Sequence, residues 1–341
     1  MINIYKADTD IIAREYCDKI RNWLNHSTHK VPDTFRKSKD RNKNRFEKMI
    51  RYVYDRIMDD KVNLIISRPE NFNDFIRDFN DIFQQELDTY EKAKKWKKAN
   101  TSFGKFKRTM GALYSTFFND PACSLSTQDS TNGYWLMRKL NIKVCPYCNR
   151  NYTIAVDGDT KTRPEFDHNI PKSDKPILAL SFFNLIPACP TCNHLKSSKE
   201  IIFNPYIVNC DDIKFIPDLT VTGHEEDTPK KIISAINKIT EVENIKLKIK
   251  TQNENQENFI KKLAIDKLYN EHLDYVTEIL EKAIAYNHSY YDGLVENFRD
   301  LGIDISEIDK LIWGTYTQID NLGNRPLSKL TRDILEFYDI Y

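Results

Sequence analysis

Residues 145–200 read CPYCNRNYTIAVDGDTKTRPEFDHNIPKSDKPILALSFFNLIPACPTCNHLKSSKE. A C-x2-C pair stands at each end of the stretch, Cys145/Cys148 and Cys189/Cys192, each with a proline turn beside it (Pro146, Pro190). Four thiolates in two such knuckles suit a closed tetrahedral zinc site, and a closed site leaves no position open for chemistry. The chain has 7 cysteines, and Cys17, Cys123 and Cys210 are scattered; an odd number argues against a disulfide framework and towards metal. The spacing therefore predicts a structural Zn2+ on Cys145, Cys148, Cys189 and Cys192.

Between the knuckles the pattern is that of short strands. Tyr152 to Val156 alternates, Asp157-Gly158 is a hairpin signal, and Arg163 to His168 reads as a second strand. A loop bounded by Pro171 and Pro176 follows, then the apolar run LALSFFNLIP and a polar helix from about Pro190 to Lys199, stopped before Asn204-Pro205.

Outside this stretch the periodicity is helical. Phe72, Phe75, Ile76, Phe79, Ile82, Phe83 and Leu87 recur at spacings of three and four, as on one face of an amphipathic helix. A long helix is expected from about Asn258 to Asn287, and a last one after Pro326 with Leu327, Leu330, Ile334 and Leu335 as its stripe. The expected fold class is α+β, with helical arms around a zinc-stabilised finger. The expected divisions are a basic helical region over 1–141, the finger over 142–205 and a helical region over 206–341.

The whole chain, 341 residues long, is nearly neutral at +1, but residues 1–141 hold 27 Lys+Arg against 19 Asp+Glu, which leaves the remainder at −7. The positive charge concentrates in two segments, 30–56 with its flanking His29, and 92–110, KAKKWKKANTSFGKFKRTM, which has no acid and carries Trp96, Phe103 and Phe106 between its cations. Cations interleaved with aromatics suit phosphate and base contact, so Lys94, Lys95, Lys97, Lys98, Lys105, Lys107 and Arg108 are candidate nucleic-acid contacts, against the alternative of a solvated helix face over core aromatics. No stretch is long and apolar enough for a membrane span, and the first residues carry charge where a secretory leader needs an apolar run; a cytoplasmic protein is expected.

The order Asp167-His168, Asn184, Cys189-x2-Cys192-Asn193-x2-Lys196 resembles the HNH nucleases, whose core is a finger of two strands and a helix (ββα) around one catalytic divalent metal. The resemblance covers about sixty residues and implies particular roles. His168 would be the general base, Asp167 and Asn193 would give oxygen ligands to Mg2+ or Mn2+, and Asn184 would hold the loop that orients the histidine. Asn193 stands where many members have histidine, which favours the harder ions. Glu165 shares a strand face with Asp167 and reads as a supporting carboxylate or a surface one. Lys196 and Lys199 on the same helix could meet phosphate; His194, about 100° round from Asn193, reads as solvent-facing or a phosphate contact.

NRPLSKLTRDI, residues 324–334, is similar to a segment of HNH subunits in Septu-type and retron-associated antiphage systems, where the nuclease works with an ATPase of the SMC/ABC type. Independently, Arg325, Lys329 and Arg332 fall at helical spacing and predict a basic stripe for nucleic acid or an acidic partner. The resulting expectation is a metal-dependent endonuclease, on DNA rather than RNA, in prokaryotic defence. A tRNA-cleaving enzyme of the same fold and a non-catalytic zinc module are the alternatives.

Overall fold

The computed structural model describes residues 1–26, 31–219, 245–286, 288–303 and 305–338. Seven helices come first: α1 (Thr9–Asn25), α2 (Asp33–Ser38), α3 (Arg45–Met58), α4 (Phe72–Lys92), α5 (Lys95–Lys98), α6 (Ser102–Asn119) and α7 (Asn132–Leu140). Strands β1 (Glu165–His168) and β2 (Leu185–Ala188) follow, then α8 (Pro190–Lys196). Beyond them come β3 (Lys214–Leu219), β4 (Ile245–Lys250), α9 (Glu254–Lys262), α10 (Ile265–Asn270), α11 (Leu273–Ala285), α12 (His288–Asp300), α13 (Ile305–Trp313) and α14 (Ser328–Phe337). Helices dominate and the two sheets are antiparallel pairs, β1–β2 and β3–β4, an α+β arrangement. Among the described residues no helix is long and apolar enough to cross a membrane.

The apolar stripe foreseen at 72–87 forms α4, with Phe72, Phe75, Phe79 and Phe83 buried; Ile82 turns outward, 47 % exposed, where the helix kinks at Phe83 (φ −116°, ψ 20°). The single helix foreseen from Asn258 is instead three, α9, α10 and α11. Ala264 takes a left-handed φ of 50° between the first two, and the turn at His272 separates the last two. Asn287, where that helix was to end, lies outside the described residues, as do His29 and Lys30. The strand foreseen at Tyr152–Val156 is reduced to bridges, Val144 with Tyr152 and Val156 with Thr162, the second closing the Asp157-Gly158 turn. Only Glu165–His168 of the second foreseen strand is a strand, and it pairs with β2 rather than across that turn, with His168 opposite Leu185.

The finger is fastened to the helices on both sides. From the amino-terminal side, Tyr16 Oη donates to Leu180 O (3.0 Å), Phe182 N to Ile65 O (2.8 Å) and Ser181 Oγ to Leu64 O (2.9 Å). Phe118 of α6 packs on Phe166 of β1 with ring centroids 5.5 Å apart. One hydrophobic core runs through all three regions of the chain.

From the carboxyl-terminal side the fastening is Asn149, one residue past the first knuckle. It is fully buried with a left-handed φ of 51°, a conformation asparagine tolerates better than most residues. Its Oδ1 accepts from Lys329 N (2.8 Å), its Nδ2 donates to Leu322 O (2.8 Å) and its carbonyl accepts from Leu327 N (2.7 Å). Residues 324–334 thus brace the knuckle, and this corrects the reading of Arg325, Lys329 and Arg332 as a surface stripe. Lys329 is fully buried against Asp333, Arg325 donates to Gly314 O (2.8 Å), and Arg332 donates to Thr317 O (3.2 Å) and pairs with Glu336. Lysine and aspartate at i and i+4 satisfy each other inside the protein, where a lone charge would be prohibitive.

Asn149→Ala would leave the buried Lys329 N–H and Leu322 carbonyl without partners. A loss of about 2–4 kcal/mol in unfolding free energy is expected, read from the denaturant midpoint. An unchanged midpoint would show that the brace carries no stability.

Candidate active site

Cys145 and Cys148 lie in the turn that follows Val144, Cys189 directly follows β2 and stands at the N-cap of α8, and Cys192 sits one helical turn later. All four are fully buried and their Sγ atoms lie within 4.8 Å of one another. A tetrahedron with Zn–S bonds of about 2.3 Å has edges of about 3.8 Å, and Cys148 Sγ stands 3.8 Å from Cys189 Sγ. Arg150 N donates to Cys148 Sγ and Asn151 Nδ2 to Cys189 Sγ, both at 3.4 Å, which offsets thiolate charge. The donor set and its geometry fit structural zinc. Because Cys189 directly follows β2, such an ion would fix the end of the strand opposite β1.

His168 ends β1 in a buried position, its ring 4.6 Å edge-on from that of Tyr114 on α6. Nε2 lies 2.9 Å from Ala179 O, and a carbonyl can only accept, so Nε2 carries the proton and Nδ1 keeps a lone pair. Burial, and then the charge of Lys172, push the pKa down to about 3, so the ring is neutral at pH 7.

Asn184 holds the loop that supplies Ala179. Its Oδ1 accepts from Ile170 N (2.7 Å) while Nδ2 donates to Ile170 O (3.0 Å) and Leu178 O (3.2 Å), so both ends of the loop meet on one amide. A fully buried asparagine with donors and acceptors matched in this way fixes a loop as a backbone ladder fixes a strand.

Asp167, next in the strand, is buried and doubly held. It accepts from Tyr147 Oη (2.7 Å) and pairs with Lys196 Nζ at 3.1 Å. Burial raises its pKa, and Lys196 works against that rise. Lys196 is fully buried and also donates to His168 O (2.6 Å), so it is unavailable to phosphate, contrary to the expectation from sequence. Helix α8 ends at Lys196, with Ser197 at φ 49°; Lys199 therefore lies past the helix, exposed, and His194 is exposed too. Asn193 donates from Nδ2 to the Glu165 carboxylate, and among the described residues its side-chain carbonyl oxygen has no hydrogen-bond donor.

A cleft of about 780 Å³ lies between α6, the 156–162 turn, β1 and α8; Asn184, Lys196, His194 and Lys199 are not among its lining residues. His168, Asp167, Glu165 and Asn193 all face it. Three cations that sequence reasoning missed face it as well, Lys161, Arg163 and Lys172. Arg163 donates to Asn119 Oδ1 at the end of α6 (2.5 Å), where a Cβ on Gly133 would come within 2.7 Å of its Nε, so glycine makes room for the guanidinium. Lys172 Nζ lies 4.0 Å over the Tyr114 ring and pairs with no carboxylate among the described residues. Burial lowers its pKa, with Glu165 and Asp167 opposing. Lys172 was legible as a cation four residues after the histidine; Tyr114, remote in sequence, carried no signal, and nothing in the spacing of Tyr147 within the first knuckle tied it to Asp167.

Of the amino-terminal cations, Lys94, Lys95, Lys97, Lys105 and Arg108 are exposed. Lys98 pairs with Glu91 at 3.2 Å, and Lys107 is half-buried with Nζ 3.4 Å from Tyr90 Oη. Phe103 and Phe106 are core residues, whereas Trp96 is 70 % exposed.

No curated protein and no solved structure matches the chain. The family model described as HNH endonuclease matches residues 145–199, an HNH endonuclease domain that holds the four cysteines and most of the cleft's lining, while Tyr114, Asn119 and Tyr134 come from helices outside it.

Proposed function

We propose that the protein is an endonuclease that hydrolyses phosphodiester bonds in DNA with the help of Mg2+ or Mn2+, on a ββα finger formed by β1, β2 and α8. The observation that carries this reading is His168: a neutral imidazole whose Nε2 is tied to Ala179 O and whose Nδ1 is left as a base, in a cleft that also holds oxygen donors and unpaired positive charge.

In this reading His168 takes a proton from the attacking water through Nδ1. Ala179, Asn184 and Tyr114 keep the ring from turning, so that the lone pair stays aimed. A divalent ion would be held by the Asp167 carboxylate and the Asn193 carbonyl oxygen, hard donors suited to magnesium or manganese, and when bound it neutralises charge at the leaving oxygen. Lys196 and Tyr147 fix the carboxylate, and Glu165 fixes the Asn193 amide so that its oxygen faces outward. Lys172 and Arg163 place two further positive charges where the scissile phosphate must sit.

The resemblance of residues 324–334 to antiphage HNH subunits supports a role as effector in prokaryotic defence and a partner ATPase of the SMC/ABC type. Arg325, Lys329 and Arg332 are engaged within this chain, so such a partner would be met through other surfaces.

His168→Ala is expected to lower Mg2+- or Mn2+-dependent plasmid cleavage by about two to four orders of magnitude, the range for a general base, while the circular-dichroism spectrum and zinc content stay as in the wild type. Cleavage at the wild-type rate by the variant would remove the base from the scheme.

Lys172→Met should lower kcat by roughly 10- to 1000-fold with KM nearly unchanged, and Lys172→Arg should recover part of the loss. A change confined to KM would make Lys172 an ordinary binding charge.

A further inference from the structure

The two basic segments of the sequence, far apart along the chain, meet in space. A groove of about 440 Å³ runs beside α6 and is lined by Thr34 and Phe46 from the first segment, by Lys105, Arg108 and Thr109 from the second, and by Ala112 just past it. Thr34 Oγ1 and Thr109 Oγ1 lie 3.5 Å apart and tie its walls together. On α6 the exposed positions Lys105, Arg108, Ala112, Ser115 and Asn119 follow at spacings of three and four, forming one face of a helix that carries no carboxylate.

That face leads into the cleft. Its far end is Asn119, which receives the Arg163 guanidinium, and Tyr114 on the same helix touches His168. Its near end lies beside α5, where Trp96 stands 70 % exposed, with Lys97 Nζ 4.7 Å over its ring and Lys94 and Lys95 exposed around it. At about 1.5 Å per residue, the path from Lys105 to Asn119 is about 21 Å, room for about six nucleotides at a stacked rise of about 3.4 Å. The neighbouring helix α4, by contrast, exposes Asp74, Asp81, Asp88 and Glu91 against Arg77 and Lys92, and this acidic balance leaves α6 as the favourable route for a phosphate chain.

We propose that this groove, with Trp96 at its outer end, binds single-stranded nucleic acid and feeds it along α6 to the cleft, phosphates on Lys105 and Arg108 and an unstacked base on Trp96. The direction of feed rests on the nuclease reading; the binding does not. A lone exposed indole with cations on both sides suits an unpaired base, because every base offers a π-face whereas a duplex keeps its faces stacked.

The other three tryptophans, Trp23, Trp135 and Trp313, are buried, so quenching of protein fluorescence by a bound strand reports on Trp96. Oligothymidylate, oligouridylate and a hairpin duplex would be titrated without added magnesium or manganese. Both single strands are expected to quench the emission and the duplex to leave it. By anisotropy, Trp96→Ala should weaken single-strand binding about tenfold. Lys105→Gln with Arg108→Gln should lower the salt slope by about 1.4. Unchanged affinity and slope in both variants, or quenching by the duplex alone, would overturn the proposal. Loss of metal-dependent cleavage with Trp96 quenching intact would instead contradict the nuclease reading and leave this one standing.

Discussion

Four buried thiols drawn into a tetrahedron are the constraint on which the finger depends. Cys145 and Cys148 lie on one side of the strand pair in sequence and Cys189 and Cys192 on the other, so joining them closes the intervening loop and costs chain entropy that a strand pair of four residues each cannot repay. A zinc ion supplies on the order of 10 kcal/mol of folding free energy in small structural sites, enough to hold such a pair. The remaining parts are placed relative to that closure. Cys189 follows β2 without an intervening residue, β2 sets the register of β1, and β1 ends at His168.

Other parts of the chain then refine what the cysteines begin. Asn184 fixes the loop whose Ala179 carbonyl selects the tautomer of His168, α6 lays Tyr114 against the ring, and Asn149 ties the first knuckle to α14. The finger holds its shape through partners as far as 180 residues away along the chain. The buried pairs Lys196–Asp167 and Lys329–Asp333 follow one rule: each lysine is near a residue it must hold, and its charge is spent inside the protein.

That rule separates what could be read from the sequence from what could not. The cysteine knuckles, the helical stripe of α4 and the placement of Asp167, His168, Asn184 and Asn193 around one finger were legible, because short-range spacing encodes them. Lys196 and Lys329 were misread as surface charge, since a one-dimensional pattern does not say which lysine is buried with a carboxylate, whether that partner stands at i+4, as Asp333 does, or on another element, as Asp167 does. The helix foreseen from Asn258 breaks at Ala264, where no glycine or proline announces a left-handed residue. Tyr114 and Arg163 depend on how α6 packs across the finger, and the meeting of the two basic segments on how α6 packs against α2 and α3, which only tertiary structure supplies.

The central claim is a division of labour between a closed zinc site that holds the finger and an open oxygen site that serves catalysis, and metal exchange tests it most directly. Purified protein would be treated briefly with a mild chelator, and its zinc content and its cleavage of plasmid and of single-stranded DNA followed as magnesium or manganese is returned. The account predicts that zinc stays at about one ion per chain, that cleavage stops, and that magnesium or manganese alone restores it. Cleavage that survives the chelator, or that returns only with added zinc, would contradict it.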